Sequence, residues 1–140
     1  MAASTTAQEA ARFAVVEVTD VDVVLPETHA VVHLREAEAP HRTLSIPIGL
    51  AEGAALAGAR ERLVGPRPST HELFCEVLAR ANLDVIAVRL IGEEEGVYFA
   101  ELDLMGTRGR EVVACRPSDG LIVAIRQRVS APLLVDERLF

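Results

Sequence analysis

Two copies of one tripeptide, Arg67-Pro68-Ser69 and Arg116-Pro117-Ser118, concentrate the chemistry of this sequence. Each precedes an apolar run with helical spacing. A helix start presents free backbone N–H groups and roughly half a positive charge. A guanidinium beside it completes an anion pocket, and its planar fork matches a phosphate or carboxylate two-pronged. Arg67, Arg116 and Ser118 are therefore the candidate phosphate-binding residues. The competing reading is that each Arg closes on a nearby carboxylate such as Glu72, Glu101 or Asp119. His71, the one His near both motifs, falls at the second helical position. It is the candidate general acid or base near neutral pH, against the plainer reading of a surface His. Asp119 is the candidate to orient an Arg.

Other residues offer chemistry at looser spacing. Glu101 and Asp103 share one face of an expected strand, roughly 6–7 Å apart. Glu101 is a second candidate proton carrier. The pair could hold Mg²⁺ or Mn²⁺ for phosphodiester hydrolysis, though alternating polar residues on an exposed sheet face read the same way. The metal ligands themselves stay unassigned. His29 and His33 flank Val31-Val32, which favours a strand, where the rings stand roughly 13 Å apart and cannot share a zinc. Glu93-Glu94-Glu95 reads as a solvated turn, and Cys75 as packing. No Gly-rich phosphate loop, zinc spacing or Ser-His-Asp order is present.

Charge narrows the partners. The chain of 140 residues has a formal net charge of −7, and all 14 cations are Arg. Mechanisms that need Lys, such as Schiff-base chemistry, are excluded. Phosphate backbones are repelled by the global field, so a nucleic acid would have to meet a local Arg cluster. Two cysteines, Cys75 and Cys115, are too few for a disulfide framework and read as reduced thiols of a cytoplasmic protein. No apolar run approaches the roughly 18 residues that span a bilayer, and no secretory signal opens the chain. No membrane partner is expected.

The elements that must position these residues follow from periodicity. Residues 1–12 read as a flexible leader and 13–140 as a single domain. Phe13–Leu25, with a bend near Thr19-Asp20, His29–Leu34 and Arg42–Ile48 read as three antiparallel strands in a meander. Gly49–Leu63 has helical spacing and is ended by Gly65-Pro66; Gly53 and Gly58 each cost this helix roughly 1 kcal/mol, so close packing must hold it. Ser69 with Glu72 makes a capping box ahead of the stripe Leu73, Phe74, Val77, Leu78 and Ala81, and Asn82 suits the stop. Leu83–Ile91, Val97–Leu104 and Arg110–Cys115 read as strands joined at Gly92–Gly96 and Gly106–Gly109. Leu121–Ile125, after Ser118 as cap and Asp119 in an acidic first turn, reads as a buried helix, and Pro132–Val135 as a last short strand. The fold class is α+β, with a mixed, mainly antiparallel sheet of about six to seven strands packed with three helices.

At the two tripeptides the chain resembles the bifunctional nuclease (BFN) domain family. The resemblance runs through Ile48-Gly49, Glu52-Gly53-Ala54, Arg67-Pro68-Ser69-Thr70-His71-Glu72-Leu73, Tyr98-Phe99-Ala100-Glu101-Leu102, Arg116-Pro117-Ser118-Asp119 and Ala131-Pro132-Leu133-Leu134-Val135. No single motif is diagnostic; the ordered set, over roughly residues 13 to 138, is specific. Gly120 departs from it where Ala is usual, and Cys115 where a polar or acidic residue is common. The resemblance implies an α+β fold, a tendency to dimerise and a nuclease activity on DNA and RNA. In that reading His71, Glu101 and Asp119 serve proton transfer and orientation while Arg67, Arg116 and Ser118 hold phosphate. The rivals are a non-catalytic homodimer that binds a small anionic ligand or a protein, and an enzyme acting on a small anionic substrate.

Overall fold

The computed structural model describes residues 11–24 and 26–140. The expected leader, but for residues 11 and 12, lies outside the described residues, as does Leu25. The meander forms as read, from β1 (Phe13–Val24), β2 (His29–Glu36) and β3 (Thr43–Gly49), paired antiparallel in the order β3-β2-β1. The register of β1 against β2 shifts between Val18 and Asp20, where the alternation of apolar residues breaks in the sequence. The irregularity switches parity, so Val16, Val18 and Val21 all reach the same apolar core.

After α1 (Leu50–Arg60) and α2 (Thr70–Arg80) come β4 (Asp84–Glu94), β5 (Val97–Gly106) and β6 (Gly109–Cys115), a second antiparallel set. The helix α3 (Pro117–Ile125) leads to β7 (Leu133–Asp136). This last strand enters the middle of the sheet, giving the order β3-β2-β1-β7-β4-β5-β6. It runs antiparallel to β1 and parallel to β4, so four residues join the two halves. The architecture is α+β: a seven-stranded, mostly antiparallel mixed sheet with three helices.

Two boundaries and one packing expectation differ. α1 stops at Arg60, well before Gly65, because Arg62 adopts φ 51° and lets Leu63 N donate to Gly58 O at 2.9 Å. Asn82 closes α2 in the same way, as read. The Glu triplet is not a turn: β4 continues through Glu94, the chain reverses at Glu95-Gly96, and Glu93 accepts from Gly96 N at 2.6 Å. Close packing, expected at both glycines of α1, occurs at Gly53. A Cβ there would lie 2.5 Å from that of Ala30, whereas at Gly58 it would meet Arg126 alone, at 3.7 Å.

The helices cover one face of the sheet. α1 lies over β1, β2 and β3, and α3 over β4 and β5. α1 and α3 lie side by side and run the same way, which gathers their N-termini at one end and their C-termini at the other. α2 packs chiefly on α3 and buries Leu78. Its remaining stripe stays open, with Leu73 56%, Phe74 43% and Val77 53% exposed. Among the described residues no helix is long and apolar enough to cross a membrane.

Candidate functional site

The two tripeptides open their helices in different registers. Ser69 is the N-cap of α2, and its Oγ accepts from Glu72 N at 3.3 Å. Glu72 does not return the favour expected of a capping box; its carboxylate faces Arg126 at 3.8 Å. In α3 the cap is Arg116 in extended conformation, with Pro117 at the first helical position, where its missing N–H costs nothing. Ser118 is thus inside the helix and 4% exposed. It is not the cap expected of it, and its burial removes it from the surface an incoming phosphate would meet.

That register aims Arg116 back over its own helix. Its Nε and Nη2 donate to Asp119 Oδ2 and Oδ1 at 2.7 and 2.9 Å, and Nη1 donates to Glu52 Oε1 at 3.0 Å. Asp119 Oδ1 also receives His71 Nε2 at 3.0 Å. Glu52, His71 and Asp119 occupy the first turns of α1, α2 and α3, so one network ties three helix starts together. Carboxylates are favoured there by the positive ends of the helices. The Arg116 fork lowers the Asp119 pKa below the usual carboxylate range, and His71 adds to the effect. Glu52 is lowered first by a bond from its own backbone N–H and then by Arg116.

Of the six residues singled out from sequence, His71, Asp119 and Arg116 meet. Arg67 sits two residues before the cap of α2, exposed, and no hydrogen bond or ion pair holds its side chain among the described residues. The two guanidiniums are therefore not equivalent: one is fixed by carboxylates, the other is free. Glu101 is not part of the cluster. Leu102 and Leu104 face the helices, and alternation places Glu101 and Asp103 on the opposite side of the sheet. There Asp103, 2% exposed, lies between Arg89 Nη2 at 2.6 Å and Arg110 Nε at 2.8 Å. Arg110 and then Arg89 keep it ionised below its ordinary pKa. Two guanidiniums on one carboxylate leave a poor seat for Mg²⁺ or Mn²⁺. Among the described residues no three His, Cys, Asp or Glu side chains are grouped to hold a metal.

His71 and Asp119 line a groove of about 380 Å³ between α2, α3 and the sheet. Phe74, Leu102, Leu104, Val113 and Val123 make its walls apolar. Cys115 also lines it; burial pushes its pKa up to about 11, so it remains a neutral thiol and part of the wall. A concave, mostly apolar surface with a few polar groups is the usual form of a small-molecule site. Glu52 was missed as a site residue because it is distant in sequence; its signal was a place in the first turn of α1.

The family model for the bifunctional nuclease domain matches residues 32–140. Two proteins described as uncharacterized, from two strains of Mycobacterium tuberculosis, are each 37% identical over 122 residues, which is 87% of this chain and 71% of the relative.

Proposed function

Because the chain belongs to the bifunctional nuclease domain family, we propose that it hydrolyses phosphodiester bonds of RNA or DNA with His71 as the proton carrier. The observation that carries this reading is the His71–Asp119 pair in the lining of an open groove. With its proton on Nε2, His71 donates to Asp119 and leaves Nδ1 to accept. Nδ1 takes a proton from water as the water oxygen bonds to phosphorus, and the P–O bond to the leaving sugar oxygen breaks. The imidazolium returns the proton to that oxygen. Asp119 orients the ring and stabilises its charged form.

Arg116 uses three of the five N–H groups of a guanidinium in its bonds to Asp119 and Glu52. One N–H on each terminal nitrogen remains for a phosphate oxygen. Arg67, unconstrained, supplies the second cation. The net charge of −7 opposes long polynucleotides, so short single strands are the favoured substrates. Two unpaired cysteines, Cys75 and Cys115, accord with a cytoplasmic location.

Protein freed of contaminating nucleases is expected to cut a short single-stranded oligonucleotide, and to do so in EDTA, since the donor set serves proton transfer. Strict dependence on Mg²⁺ or Mn²⁺ would reassign the chemistry. No cleavage under any of these conditions would sink the reading.

A second reading concerns assembly. Beyond the groove, Leu73 and Val77 of α2 are 56% and 53% exposed, and β6 has one free edge among the described residues. Both features suit a second copy of the chain, placed so that apolar faces meet. Light scattering is expected to give a dimer mass, and Val77→Asp a monomer with an unchanged circular dichroism spectrum. A monomer in the parent protein at micromolar concentration excludes this interface.

A further inference from the structure

A second pocket, of about 480 Å³, opens where α1 and α3 end, on another face of α2 from His71. Three of the 14 cations line it: Arg62, Arg126 and Arg128. In a chain of net charge −7 this is a local reversal of sign. Arg62 and Arg126 are fixed by an exchange between the helix ends. Arg62 Nη1 donates to Gln127 O at 3.2 Å, and Arg126 Nη1 donates to Leu63 O at 3.2 Å. The negative ends of α1 and α3 favour cations at this place.

These guanidiniums are not used up. Arg126 has a buried Nε without a partner among the described residues, and its Nη2 comes no closer to Glu72 than 3.8 Å. Arg128 is exposed and makes no side-chain bond among the described residues. The contrast with Arg116, closed by carboxylates at 2.7 to 3.0 Å, is direct. A desolvated guanidinium with spare donors is compensated when an oxoanion arrives. The wall between them is uncharged, made by Val64, Cys75 and Ala79. The volume exceeds a bare ion and falls in the range of small-ligand pockets.

We propose that this pocket binds a small phosphorylated molecule of nucleotide size, with its phosphate between Arg62, Arg126 and Arg128 and its organic part on the uncharged wall. The site is separate from His71 and stands whether or not the chain is a nuclease. Two carboxylates, Glu72 and Glu76, also line the pocket and oppose the ligand charge. Glu76 is largely exposed and pairs with Arg80 at 2.9 Å.

The test is calorimetric titration of the full chain, at low salt, with AMP and with inorganic phosphate. AMP is expected to bind more tightly than phosphate and to raise the thermal midpoint. Arg128→Gln and Arg62→Gln are each expected to weaken AMP by roughly tenfold. Glu76→Gln is expected to tighten it, a change that a merely structural role for these residues would not produce. His71→Ala is expected to leave AMP affinity unaltered. Phosphate binding as tightly as AMP overturns the nucleotide-size ligand. No binding of either, binding that survives the Arg62→Gln, Arg128→Gln pair, or binding lost with His71 overturns the site. Arg128 and Glu76 are surface positions, so their variants keep the test decisive if Arg62→Gln fails to fold.

Discussion

Replacing His71 by Ala is expected to lower oligonucleotide cleavage by roughly two to four orders of magnitude, the usual worth of a positioned general acid or base. The fold should survive. Asp119 loses one partner but keeps both bonds from Arg116, and the first turn of α2 keeps its Ser69 cap. The thermal midpoint is therefore expected to move by no more than a few degrees. His71→Asn, which retains a donor without a titrating ring, should be as inactive as the Ala variant. Asp119→Asn should also lose rate, because an amide stabilises an imidazolium poorly, and it weakens the hold on Arg116 as well. Cleavage by the Ala variant within threefold of the parent protein would remove His71 from the mechanism and leave the groove without a proton carrier.

Gly120→Ala is expected to destabilise the chain, although Ala is the better helix former by roughly 1 kcal/mol. A Cβ at 120 would run into Val88 Cγ2 and approach Cys115 Sγ to 3.1 Å. Val88 is 0% exposed and branched on a central strand, so it has no free rotamer into which to retreat. Overpacking of this kind costs about 1 to 3 kcal/mol and outweighs the helical gain. The thermal midpoint should fall by roughly 5 °C. The mechanism makes a sharper demand: Val88→Ala, destabilising alone, should restore much of what Gly120→Ala loses, with a coupling of about 1 kcal/mol or more in a double-mutant cycle. Additive effects would show that the contact is relieved elsewhere. Gly120 and Val88 are then a matched pair.

Several elements were legible because their causes are local. The Ser69 cap, the αL stop at Asn82 and the reversals beside Gly96 and Gly109 need only neighbours in sequence. The parity break near Thr19 was visible as failed alternation, and it is where the register shifts. The place of β7 was not legible. Four apolar residues carry no mark of which edges they will join, and one of the two pairings is parallel. Periodicity did report an apolar face on α2. It could not report that this chain leaves Leu73, Phe74 and Val77 uncovered.

At the site, residue type led to His71, Asp119 and Arg116, but register decided their roles. One tripeptide placed Pro68 outside a helix and Pro117 at the first position of another, which turned Arg116 onto Asp119 and buried Ser118. Glu101 shows a reading that parity could have improved. Its neighbours Leu102 and Leu104 alternate with it, so a sheet covered by helices on one face sends the carboxylate away from them. Glu52 joins the cluster through α1 lying parallel to α3, a relation between elements that no local pattern encodes.

The insertion of β7 has a consequence during synthesis. β1 is complete at residue 24, but its partner on that side, residues 133–136, follows about 110 residues later, on the order of ten seconds at ordinary translation rates. Through that interval the nascent chain holds two half-sheets whose facing margins, β1 and β4, have no backbone ladder between them. A tail borrowed from a neighbouring polypeptide on the same message would close that gap equally well, and an interlocked pair would result.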